Sequence, residues 1–127
     1  MNVSSNNKNI YIVDDKSVCR GFKTLLTAYD FKVKTFNSAK SFFEAVPNDE
    51  PGCLVLDINM PEVDGWAMHK MILDSGAKRP VIFISAELQD NTVERALKAG
   101  AVGFLQKPFD GQPLVDFINV ALEGMNK

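Results

Sequence analysis

Residue types that commonly carry chemistry are scarce in this chain: among 127 residues there are one histidine, one tryptophan and two cysteines. The cysteines, Cys19 and Cys53, lie too far apart for a paired metal-ligand motif and form no disulfide framework. Both fall within apolar patterns and are expected to be buried free thiols. His69 is expected on an exposed helix face, without a metal or catalytic role. No apolar run approaches the roughly 20 residues of a membrane-spanning helix. The opening Met1-Asn2-Val3-Ser4-Ser5-Asn6-Asn7 is polar, unlike a signal peptide. With a net charge of −2, the chain has no general attraction for nucleic acid or acidic lipid. The expectation is a soluble segment in a reducing, cytoplasmic setting, with no membrane contact and no direct nucleic-acid binding.

What the chain does have is short apolar runs that each stop at a polar residue. Hydrophobic residues make up 46% of the chain and charged residues 24%, the balance of one ordinary globular domain. After the leader, Ile10-Tyr11-Ile12-Val13 ends in Asp14-Asp15. Cys19, Phe22, Leu25, Leu26 and Tyr29 then recur at helical spacing, predicting an amphipathic helix over about 17–29. Phe31 to Phe36 alternates as a half-buried edge strand does. Ser38 is a candidate N-cap for a helix carrying Phe42, Phe43 and Val46. Cys53-Leu54-Val55-Leu56 stops at Asp57, and the chain turns through Pro61 to Gly65 into a helix bearing Trp66, Met68, Met71 and Ile72. Val81-Ile82-Phe83-Ile84 stops at Ser85, a helix over about 90–99 closes at Gly100, and Ala101 to Gln106 stops at Lys107-Pro108. Leu114, Ile118, Ala121, Leu122 and Met125 give a last helix. Met68, Met71 and the phenylalanines are expected in the core, and Trp66 partly buried near the loop after Asp57.

Five strands alternating with five helices, three of the strands apolar on both faces, predict an α/β fold with a buried parallel sheet. The chain is too short for a barrel of about 250 residues, which leaves a doubly wound sheet with helices on two faces. The weak second strand belongs at an edge, giving the flavodoxin-like order 2-1-3-4-5. All the strand ends then share one edge, and Asp14, Asp15 and Asp57 become neighbours. Alone, Asp57 reads equally as a ligand or as a cap of the following turn. As a set, clustered carboxylates call for a cation, and hard oxygen donors suit Mg²⁺ with several waters retained. Lys107 and the Ser85 hydroxyl, on the same edge, suit a phosphoryl group. A carboxylate beside such a cation and a lysine is what forming an acyl phosphate requires.

These residues resemble a known family. Asp14-Asp15, the stretch from Leu56 to Gly65, Ser85-Ala86 and Lys107-Pro108-Phe109 are similar to the motifs of the two-component response regulator receiver domain, over residues 9–124. The resemblance implies that Asp57 is the phospho-acceptor and that Asp14, Asp15, Asp57 and the backbone carbonyl of Asn59 hold Mg²⁺. It also implies that Lys107 contacts the phosphoryl group, with a cis bond to Pro108, and that Ser85 and Phe104 are the switch pair. Val93, Leu97, Phe104 and Gln106 would form the output surface; the alternative is that Val93 and Leu97, Leu97 above all, only pack on the sheet. The implied partners are a sensor histidine kinase or histidine phosphotransfer protein, and a downstream output domain or effector. Such a protein catalyses its own phosphorylation and dephosphorylation and is not a conventional enzyme.

Three alternatives stand beside this. A degenerate receiver would keep the fold as an interaction module. A flavodoxin-like FMN module would need a phosphate-cradling loop where Asp14-Asp15-Lys16 stand. An aspartyl-phosphate phosphatase would carry an Asp-x-Asp pair there. The expected layout is a polar leader at 1–8, the domain at 9–124 and a tail at 125–127. That length leaves no room for an output domain, so either a free-standing or an excised receiver is expected.

Overall fold

The computed structural model describes residues 9–125, apart from residues 61, 88, 109 and 110 and the side chain of Met125. The polar leader, the residues after Met125, and the motif residues Pro61 and Phe109 therefore lie outside the described residues. Five strands, β1 (Asn9–Val13), β2 (Lys32–Phe36), β3 (Gly52–Asp57), β4 (Val81–Ser85) and β5 (Gly103–Gln106), alternate with five helices. These are α1 (Lys16–Ala28), α2 (Ala39–Ala45), α3 (Gly65–Asp74), α4 (Thr92–Lys98) and α5 (Gly111–Met125). Every strand pairing is parallel, in the order β2-β1-β3-β4-β5.

The period of two along each strand divides the core between the two faces of the sheet. Ile10, Ile12, Cys53, Val55, Ile82 and Ile84 face α1 and α5, meeting Cys19, Leu26, Leu114 and Ile118. Tyr11, Val13, Leu54, Leu56 and Phe83 face α2, α3 and α4, meeting Phe42, Met68, Ile72 and Ala96. Burial on both faces is why β1, β3 and β4 are continuous apolar runs. β2 is paired on one side only and leaves Lys32 and Lys34 exposed, as expected of an edge strand.

Four expectations need correction. His69 is buried, only 5% exposed, with its ring edge-on to Phe83 at 5.3 Å. Met71, expected in the core, is 45% exposed. The reason for both is the rotation of α3, which turns Gly65, Met68, His69 and Ile72 inward at i, i+3, i+4, i+7 and leaves Met71 outside that face. Tyr29 does not extend the apolar stripe of α1 but caps its end, exposed. β5 also begins two residues late, because Ala101 still donates its amide to Ala96 of α4 at 3.1 Å. Cys19 and Cys53 are free and buried. No helix among the described residues is long and apolar enough to cross a membrane.

Candidate functional site

Strand register sets the site. Val13 pairs with Leu56, Asp57 with Ile84 and Ser85 with Gln106, so the residues that follow β1, β3, β4 and β5 emerge along one edge of the sheet. Asp14 continues β1, its backbone amide donating a hydrogen bond to the Phe36 carbonyl at 3.1 Å, and is 1% exposed. Asp57 ends β3 and is 8% exposed. Lys107 follows β5, its amide donating to the Ser85 carbonyl at 2.7 Å, and the Lys107-Pro108 bond is cis.

The lysine ammonium stands between two carboxylates, 2.8 Å from Asp14 Oδ2 and 3.5 Å from Asp57 Oδ2. That ammonium is the one partner of Asp14 Oδ2, which accepts no hydrogen bond from any other described group. Burial, reinforced by Asp57 and opposed by Lys107, pushes the Asp14 carboxyl up to about 6. Burial acts in the opposite sense on Lys107, but the two aspartates outweigh it and hold the ammonium above the ordinary lysine value. Removing Lys107 leaves Asp14 Oδ2 buried and unpaired, whereas removing Asp14 leaves Lys107 its second contact, with Asp57.

Asp15 is placed differently from its neighbour. Its Oδ1 accepts from the Val18 amide and the Ser17 hydroxyl, both at 2.9 Å, so the carboxylate is the N-cap of α1. Those bonds hold its pKa below the usual carboxylate range. It still borders the same cavity of about 390 Å³ as Asp14, Asp57 and Asn59. Among the described residues no three acidic, histidine or cysteine side chains converge tightly enough to form a ready-made metal cage. The donors nevertheless fit a hard divalent ion that keeps most of its waters: two buried carboxylates, one with a lone pair met only by an ammonium, beside a roomy cavity.

Ser85 is 1% exposed at the end of β4. Its Oγ accepts from Asn59 Nδ2 at 2.7 Å and from the Glu87 amide at 3.0 Å. Asn59 reaches the other way as well, its amide donating to Asp57 Oδ1 at 3.1 Å. Only the carbonyl of Asn59 figured in the sequence reading. The role of its side chain follows from register, since the Ile58 amide bonds to the Ile84 carbonyl and sets residue 59 beside residue 85. Trp66 is half-buried, as expected, and lines a pocket with Ser85 and Asn59. It packs on Phe83 at 4.6 Å, with the Arg95 guanidinium 4.2 Å from its ring centre. Phe104 is half-buried on β5 and pairs with Phe83. Val93 and Leu97 are 46% and 55% exposed, so neither packs against the sheet. With exposed Gln106 they leave an open face on α4 and β5.

The response regulator receiver domain family matches residues 10–119. The chain is 38% identical over 120 residues to the transcriptional regulatory protein TdiR of Thauera aromatica, covering 94% of this chain and 53% of that protein. It is 32% identical over 115 residues to the transcriptional regulatory protein FixJ of Bradyrhizobium diazoefficiens, covering 90% and 56%. The chain thus spans about half the length of these curated relatives. Among solved structures, it superposes on the response regulator StyR with a TM-score of 0.83 at 37% identity, covering 91% of this chain and 60% of that one. For FixJ-N the TM-score is 0.78 at 32% identity, with 91% and 94% covered. None of these similarities supports a flavin module or a non-phosphorylated variant of the fold. With a family match across most of its length, and acid, lysine and serine groups on one sheet edge, the chain belongs to the response regulator receiver domains of two-component systems.

Proposed function

We propose that Asp57 is the residue this receiver phosphorylates, and that the site around it performs the transfer on itself without turnover of a separate substrate. The observation that carries the reading is the Lys107 ammonium, 3.5 Å from Asp57 Oδ2 and anchored by Asp14 at 2.8 Å. The donor would be a phospho-histidine on a sensor kinase or phosphotransfer protein. An Asp57 carboxylate oxygen attacks phosphorus in line, the P–N bond breaks, and the departing imidazole keeps that electron pair. Lys107 offsets charge on the transferred phosphoryl group, and Asp14 holds Lys107 in place. Mg²⁺ held by Asp14, Asp15, Asp57 and the Asn59 carbonyl would offset the remaining charge on the phosphoryl oxygens.

The consequence is a shift between two conformations, with Ser85 and Phe104 as the moving parts. The new phosphoryl oxygens accept the Ser85 hydroxyl, and Phe104 takes up the space released beside α4. The exposed face carrying Val93, Leu97, Phe104 and Gln106 is then the surface an output domain or effector reads. A ligand or modification moves such an equilibrium only through contacts that differ between the two states.

Incubation with Mg²⁺ and a small acyl-phosphate donor tests the assignment. Wild-type protein gains a covalent phosphoryl group, and Asp57→Asn abolishes it. Label that survives in Asp57→Asn, or that maps to another residue, refutes the proposal.

A further inference from the structure

Asn59 touches both Asp57 and Ser85. Its backbone amide donates to Asp57 Oδ1 at 3.1 Å, and its side-chain amide donates to Ser85 Oγ at 2.7 Å. A serine oxygen has two acceptor lone pairs, and here both are engaged, the second by the Glu87 amide at 3.0 Å. The buried hydroxyl is therefore fixed at the end of β4 by an exposed side chain from the neighbouring loop.

We propose that the Asn59 side chain is a latch on Ser85: it stabilises the resting conformation and so sets how strongly a phosphoryl group must bind to change it. This rests on the phosphoacceptor reading above and adds a positioning residue to it. The Asn59–Ser85 bond belongs to the resting state alone, so its loss changes the equilibrium by its full net worth. For a neutral hydrogen bond that is about fivefold in an equilibrium constant. The effect requires the Ser85 hydroxyl, because without it the amide has nothing to hold. A purely structural role for Asn59 predicts no such dependence.

Trp66 is the one tryptophan in the chain, and it lines the pocket that holds Asn59 and Ser85, so its fluorescence reports on this pair. The experiment is a titration with beryllofluoride, a phosphoryl mimic, at saturating Mg²⁺. It compares wild type, Asn59→Ala, Ser85→Ala and the double variant. Asn59→Ala is expected to bind beryllofluoride about fivefold more tightly than wild type. In the Ser85→Ala background the same change is expected to have no effect. In ligand-free Asn59→Ala, the amide NMR signals of Glu87 and Phe104 are expected to move toward their beryllofluoride-bound positions. Unchanged or weaker binding by Asn59→Ala, or equal tightening without the serine, overturns the latch and leaves the phosphoacceptor reading intact. Failure of wild type to bind at all overturns both.

Discussion

Lys107 and His69 show how burial acts on single residues with opposite consequences. Lys107 retains its charge because Asp14 and Asp57 face it. For His69 burial is the one cause acting, and it holds the imidazole below its ordinary 6.5. The sign of the resulting pH effect follows. Above about pH 6.5 the ring is neutral in the folded and the unfolded chain, and its burial costs nothing in protonation. As pH falls through that value the unfolded chain binds a proton that the folded chain refuses, so stability is lost until the folded pKa is reached. Between about pH 7.5 and pH 5.5, wild type should therefore lose more stability than His69→Leu, read as the shift in urea midpoint at each pH. Parallel pH profiles for the two proteins would show that His69 contributes nothing.

At the scale of elements, the β3–α3 connection decides where Asp57 points. Gly65 opens α3 directly against the end of β3, donating its amide to the Ile58 carbonyl at 2.9 Å. A Cβ there would lie 2.6 Å from the Asp57 carbonyl oxygen and 2.8 Å from Ile58 Cα, both backbone atoms that cannot swing aside. Gly65→Ala should cost about 1–3 kcal/mol by overpacking and slow phosphorylation of the displaced Asp57. Gly21, inside α1, has open space around the same position, and Gly21→Ala should stabilise by up to about 1 kcal/mol through helix propensity. Urea unfolding and the labelling rate check both, and a neutral Gly65→Ala would mean that the connection is not tightly packed. Much at this scale was legible in the sequence, because strands buried on both faces read as short apolar runs, as in Ile10 to Val13, and helices as a 3.6-residue period, as in Cys19 to Leu26. The strand-end residues Asp14, Asp57, Ser85 and Lys107 were legible for the same reason. The rotation of α3 was not, since Met71 and His69 sit on either side of a face that packing chooses. Nor were side-chain bonds across the sheet edge, such as Asn59 to Ser85, which depend on register between residues far apart in the chain.

For the molecule as a whole, the sheet is tied at one end and charged at the other. At the amino edge, Arg79 donates to the carbonyls of Pro47 and Glu50, while the Tyr11 hydroxyl donates to Glu50. At the carboxyl edge, Asp14 and Asp57 share the Lys107 ammonium, and Asp14 Oδ2 has no further partner among the described residues. An ion that binds there in the folded chain alone adds RT ln(1 + [L]/Kd) to stability, about 1.4 kcal/mol at a tenfold excess over Kd. For a domain of 127 residues this corresponds to a rise of a few degrees in Tm. Millimolar Mg²⁺ should therefore raise Tm near neutral pH relative to EDTA. Asp15→Asn is the informative variant, because Asp15 also caps α1 through Val18 and Ser17. Asparagine is as good an N-cap as aspartate, so the helix keeps its start while the site loses one negative charge. The variant should melt close to wild type in EDTA and show a smaller rise with Mg²⁺. Identical wild-type melts in Mg²⁺ and EDTA would remove the ion from the mechanism, and an undiminished rise in Asp15→Asn would confine this carboxylate to its helix.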